Sequence, residues 1–261
     1  MIARINIILP FALTVPENAT YNIYNYEYKE YKIVCHPPLN KSDKANSYSN
    51  SQEVTINSIK TYNADILQID FIKGEFDRRQ ESDFDPKIED ISYVVNDVMT
   101  RMRYVLSASQ IRALNFKKYN LVVEYLNDDG IHLEKKEGFV RGRFSKNISF
   151  TCIALTTEVW NSVNSLEPFK ELPIWKILLL DAESVLPQVG PAIILTFTAL
   201  EVFISKILDA ISAHNKIDPK LWKWINDRGF FLKEPSIEEQ YDFLSKLLIG
   251  VSIKENQKLW E

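Results

Sequence analysis

The side chains best able to do chemistry here are few and scattered. His36, His132 and His214 are the only histidines, and none has a Cys, Asp or Glu at the helical or loop spacing that metal binding requires. Cys35 and His36 have the composition of a nucleophile and its base. Neighbours on a strand point to opposite faces, however, and cannot share a proton. Cys152 sits in an apolar segment and reads as a small core residue. The seven glycines are never closer than four apart, which rules out a P-loop and a dinucleotide fingerprint. No serine lies in a nucleophile-elbow context. The sequence therefore points to no catalytic residue, no metal ligand and no cofactor.

Two features remain. Glu201 interrupts the apolar run 197–204, where a carboxylate is costly unless something pairs it. Either it reaches the edge of a helical bundle and pairs with Lys176 or Lys206, or it faces a site and orients a reactive group there. The second feature is the basic concentration formed by Arg101, Arg103, Arg112, Lys117 and Lys118 with Arg141, Arg143 and Lys146. Tyr119 and Phe144 are close in sequence, and basic side chains beside aromatics can grip single-stranded nucleic acid. Lys117, Lys118, Arg141 and Arg143 are the candidate contacts, although an ordinary charged surface near a hairpin is the plainer reading. The acidic run from Glu75 to Asp90 encloses Arg78 and Arg79 and matches no calcium loop, so it reads as a solvated linker.

These residues must be positioned by two different kinds of structure. The chain has 261 residues, 46% hydrophobic and 25% charged, with a formal charge of −4. That suits two modest domains and supplies no global field for nucleic acid or anionic membrane. Residues 1–165 are expected to form a β-rich α+β domain with one long helix. Ile5, Ile7 and Leu9, then Phe11, Leu13 and Val15, alternate with strand period, interrupted at Pro10. Tyr24, Tyr26 and Tyr28 share one strand face, more in keeping with packing than with base stacking. Further strands are expected at 54–59, 65–72, 120–126, 138–144 and 147–155, with a turn at Asp128 to Gly130 and a polar surface loop at 40–52. Over 87–111 the apolar residues Ile88, Ile91, Val95, Val98 and Met102 step as one helical stripe, with Asp85 as N-cap.

Residues 166–261 are expected to be an all-α helical bundle. Pro173 opens a helix at 174–186, Gly190-Pro191 breaks the chain, and Pro191 starts a wide-faced helix that should sit centrally. Its most apolar window, 192–208, is about 17 residues long and carries Glu201 and Lys206. A span needs about 20 apolar residues, so the window reads as a buried core helix. Asp218-Pro219 begins a short helix carrying Trp222 and Trp224, and Ser236 with Glu239 forms a capping box. The opening residues alternate too regularly for a signal peptide, and two unpaired cysteines suit a reducing cytoplasm.

The segments 175–182 and 192–204, with Ala199-Leu200-Glu201 at their core, resemble the ApeA-like domains of the HEPN superfamily. The resemblance covers about 95 residues, from Glu167 onward. It implies a bacterial, phage-defence-associated protein whose bundle pairs with a second copy or a partner chain. It also implies a metal-independent endoribonuclease acting on RNA through an Arg followed four to six residues later by a His. Histidine would move the proton and arginine would stabilise the phosphorane. No Arg in this sequence is followed by a His at that spacing. The motif would lie on the helix that Leu259 and Trp260 begin, so the chain is expected to be truncated and inactive as it stands. An exposed apolar face around Leu200, Phe203 and Ile207 is then expected. The alternative is a non-catalytic scaffold that binds a partner through its bundle.

Overall fold

The computed structural model describes residues 1–16, 19–38, 54–56, 59–73, 86–114, 121–127, 130–138, 153–226 and 235–256. They form two compact units, Met1–Glu171 and Leu172–Glu261.

The first unit is built on one antiparallel sheet with strand order β2-β3-β5-β1-β6-β7. Its long members are β1 (Ile2–Pro16) and β5 (Ile59–Ile72). Around them lie β2 (Tyr24–Tyr28), β3 (Tyr31–Cys35), β4 (Val54–Ile56), β6 (Leu121–Leu126), β7 (His132–Gly138) and β8 (Ile153–Ala154). β1 pairs with β5 along nearly its whole length, but the register slips between Ile8 and Leu13. Pro10 lies inside the slip. Proline has no N–H for a ladder, and an irregular stretch is where a strand tolerates it. Before the slip the other neighbour of β1 is β6; after it β8 joins in parallel.

The inner sheet face is apolar, as period-two spacing demands. Ala3, Ile5, Ile7, Leu9, Leu13 and Val15 of β1 are buried against Ile33, Leu67, Ile69 and Phe71. The helix α1 (Ile88–Leu106) covers this face with Ile91, Val94, Val95, Val98, Met99 and Met102. It ends at Ser107, whose backbone is left-handed with φ 48° and returns its N–H to the Arg103 carbonyl. Ile88, expected on the buried stripe, is instead exposed at the first turn.

Two elements in this unit were not expected. While the strand expected at 138–144 lies, beyond Gly138, outside the described residues, β7 occupies 132–138. Its Glu134-Lys135-Lys136-Glu137 stretch hides the strand signal, because cross-strand pairing to β6 rather than apolar alternation holds it. The helix α2 (Thr157–Ser165) was not foreseen. Its N-cap Thr156 accepts the Val159 N–H at 3.3 Å, and it contributes Trp160, wholly buried. The expected cap Asp85, the loop 40–52, the acidic residues 75–85 and Cys152 lie outside the described residues.

The second unit is helical: α3 (Ile174–Ser184), α4 (Val189–His214), α5 (Pro219–Ile225), α6 (Ile237–Glu239) and α7 (Ser245–Ile249). One π-helical turn, Gln240–Leu244, joins α6 to α7. Asp218 caps α5 by accepting the N–H groups of Lys220 and Leu221 at 2.7 and 3.0 Å. The Ser236–Glu239 capping box is present in both directions. The break between α3 and α4 falls at 185–188, ahead of the expected Gly190-Pro191. Both residues lie in the first turn of α4, where proline costs no intrahelical hydrogen bond.

Candidate functional site

The chemistry of the first unit is spent on holding it together. Asp70 of β5 is 3% exposed on the sheet face opposite α1. Arg4 of β1 donates to it from Nε and Nη2, both at 2.8 Å, and His36 Nε2 lies 2.9 Å from Oδ2. Register puts Arg4 beside Asp70 on one side and Glu124 on the other. Burial alone would push the Asp70 carboxyl up. The hydrogen bonds from Arg4 and His36, with their charges, more than offset this and hold it below the usual aspartate value. A carboxylate with three donors is a lock between strands rather than a general base. His36 finds a partner 34 residues away in sequence, which no local spacing could reveal. Its neighbour Cys35 faces the core, where burial pushes the thiol up to about 12 and leaves it inert.

A second polar group staples α1 to the segment beyond α2. Arg101 is 2% exposed; its Nε donates to Asp97 at 2.9 Å and its guanidinium lies 5.5 Å from the Tyr26 ring centre. The other Asp97 oxygen accepts the backbone N–H of Phe169 at 2.9 Å. Phe169 has φ 60°, a strained conformation for a bulky residue. Its ring is stacked 5.1 Å from Tyr93 and lies edge-on to Tyr26. Residues beyond Ser165 thus belong to the first unit. The three tyrosines of β2 share the expected face and pack: Tyr24 against Trp160, Tyr26 against Phe169, Tyr28 against Tyr93. Lys29 bonds Asp90 at the first turn of α1. Arg101 and Arg103 of the expected basic patch are buried on α1. Lys117, Lys118, Arg141 and Arg143 lie outside the described residues. No cluster of three His, Cys, Asp or Glu suited to a metal occurs among the described residues.

The second unit differs. α4 was expected to be buried centrally, yet few of its residues are. Ala192, Ala199, Ile204, Leu208 and Ser212 are buried, while Val189, Ile193, Ile194, Phe197 and Leu200 are 40–67% exposed. The reason is steric supply: α3, α7 and the π turn all pack on α4, yet they leave Val189, Ile193, Ile194 and Phe197 open. Trp175 of α3 packs edge-on to Phe203 at 5.0 Å, and the Tyr241 hydroxyl donates to the Leu200 carbonyl at 3.3 Å. Of the residues expected on the open face, Leu200 is 40% exposed and Phe203 and Ile207 are half-buried.

Glu201 is also exposed, which overturns the view of it as a buried charge. A solvated carboxylate needs no ion-pair partner to be tolerated. The apolar sequence around it forms the outside of the helix, so the cost inferred from that sequence does not arise.

Taking about 150–200 Å² as the full surface of such a residue, the exposed fractions of Leu186, Val189, Ile193, Ile194, Phe197 and Leu200 amount to roughly 500–650 Å². The largest apolar patch on an ordinary monomer is about 300–600 Å². α4 is also long and apolar enough to cross a membrane by length and composition, with 22% of its most apolar window buried. Gly190 sits at the head of this face. A Cβ added there meets nothing within 4 Å, although glycine costs a helix roughly 0.5–1 kcal/mol relative to alanine. An open cavity of about 500 Å³ lies between the end of α4 and α5, but its carboxylate, Asp209, already accepts the Trp222 indole N–H at 2.8 Å. Comparison with known protein families, curated proteins and solved structures yields no match.

Proposed function

We propose that the chain is a two-unit HEPN-like protein in which the helical unit associates with a second copy and the sheet unit docks or senses a cue. The observation that supports this reading is the exposed apolar stripe of α4, at the upper end of what a lone monomer ordinarily carries. The HEPN resemblance supplies the rest: a bacterial, cytoplasmic, phage-defence setting and, in a form that carries the Arg-to-His pair, metal-independent cleavage of RNA at a composite site formed by two bundles. Without an Arg-to-His pair at the required spacing, this sequence contributes pairing and support rather than the reactive groups. Glu201, beside Leu200 at the end of the stripe, is then placed to orient a base or arginine at the composite site. Multi-angle light scattering from micromolar to high-micromolar concentration tests the association. A dimer mass is expected, and a monomer throughout overturns the reading. In a parallel assay with EDTA present, the chain leaves RNA intact. Cleavage that disappears on mutating one of its own residues contradicts the inactive assignment.

A non-catalytic scaffold is the second reading, favoured by a further apolar set. Phe243, Leu247, Ile249 and Val251 are 53–80% exposed around α7, enough to hold a different protein. A monomer that forms a defined one-to-one complex with a partner chain, blocked by Leu247→Asp, selects this reading.

A further inference from the structure

We infer that two copies pair α4 against α4 in antiparallel fashion about a twofold axis between Ile193 and Ile194, each Phe197 entering the notch at the partner's Gly190. This rests on the reading that the helical unit self-associates and specifies how.

The argument starts from Gly190. Its backbone has no left-handed φ, and nothing within one copy occupies the space its missing Cβ leaves. A helical glycine with open space at its Cβ leaves room for a side chain of a second helix. Phe197, 57% exposed, lies seven residues later, two turns along the same face. A knob and a notch two turns apart on one helix are self-complementary, because in a twofold contact residue i meets j and j meets i. Setting Phe197 on the partner's Gly190 places Ile193 on the partner's Ile194 and Leu200 on the partner's Pro187. The whole stripe is then used, and Glu201 falls at the rim.

Charge and area favour a second copy over other occupants. No Lys, Arg, Asp or Glu lies between Glu183 and Glu201. The face therefore offers nothing to hold a phosphate backbone or a charged peptide, whereas a second uncharged face covers it without burying any charge. The exposed apolar surface is close to the roughly 800 Å² that each partner gives to a standard interface. Lipid is the remaining apolar occupant. Asp181 and Glu183 on α3, beside the stripe's own hairpin, oppose insertion.

The test uses the full chain in a Cys152→Ser background, Cys35 being buried. Gly190→Trp is expected to convert the dimer to a monomer by light scattering, with circular dichroism unchanged, and Gly190→Ala to weaken it far less. Ile193→Cys, next to the axis, is expected to give a covalent dimer with diamide, and the exposed Ser205→Cys none. A Gly190→Trp protein that remains dimeric, or cross-linking through Ser205→Cys in place of Ile193→Cys, refutes this pairing while self-association stands. A wild-type monomer at every concentration removes both. A monomer that floats with phosphatidylcholine vesicles assigns the face to lipid and also refutes the pairing.

Discussion

The sheet unit and the helical unit draw on the same kinds of apolar residue and dispose of them in opposite ways. In β1 the residues that alternate are sealed: Ile5, Ile7, Leu13 and Val15 are 0% exposed beneath α1. In α4 the residues that repeat every three or four are largely open, with Ile194 67% and Phe197 57% exposed. The difference lies in what each element has to lie against. A sheet of this width supplies one broad inner face, and a single 19-residue helix together with Trp160 suffices to close it. A 26-residue helix is apolar around most of its circumference and needs neighbours on every side. α3, at 11 residues, gives it one. Apolar content therefore measures how much surface a chain must hide. The supply of neighbouring elements decides whether the chain hides it alone.

This contrast can be broken or sharpened by substitution. The largest effect is expected at Trp160→Ala, which empties a wholly buried site and should cost the sheet unit about 4 kcal/mol. Calorimetry should show its transition falling while the helical unit melts as before. If both transitions move together, the two units do not fold independently. Next comes Asp70→Asn, which removes the charge that Arg4 and His36 bond and leaves Arg4 only Glu124 beside it; this should cost about 2 kcal/mol. Its sign with pH is defined. The folded carboxyl lies below the usual aspartate value, so the wild type holds this stabilisation above that value and loses it as pH falls through the lowered one. The gap between wild type and variant in urea melts should therefore close toward acid. A gap that is constant from neutral to strongly acid pH shows that the lock is steric, not electrostatic.

Phe197→Asp should behave in the reverse manner. Exposed in one copy, it should change unfolding by under about 0.5 kcal/mol yet weaken self-association by at least about 2 kcal/mol, roughly thirty-fold. Sedimentation equilibrium measures the second and chemical denaturation at high dilution the first; a destabilised monomer contradicts the assignment of an open face. The smallest effect is expected at Glu201→Gln, within about 0.5 kcal/mol in folding. A loss beyond about 1 kcal/mol restores the idea of a paired, partly buried carboxylate.

Much of the local architecture is legible in the residues themselves. The alternation through Val15 marks a long strand even across Pro10, the Ile91-to-Met102 stripe marks α1, and Asp218 and Ser236 mark helix starts that the side chains cap. Such features are local because hydrogen-bond geometry and side-chain period act within a few residues. β7 and α2 were not legible for the complementary reason. β7 is held by its pairing with β6. α2 is held by Trp160, buried beneath Tyr24, whose indole N–H reaches the Asn22 carbonyl at 2.8 Å across 138 positions. Of the candidate site, an open face was expected around Leu200, Phe203 and Ile207 for want of a further helix, and of these Leu200 alone is exposed. An edge position for Glu201 was one of two readings that the residues left open, since a carboxylate in an apolar run looks the same whether the run faces a core or the solvent.

What the amino-acid order determined by itself is the periodicity and the caps, because each depends on residue types a few positions apart. Tertiary structure alone decided that Asp70 joins Arg4 and His36, and that the most apolar helix lies mostly uncovered. Pairing and burial depend on which distant segments meet, and that is settled by the geometry of packing rather than by any single stretch of chain.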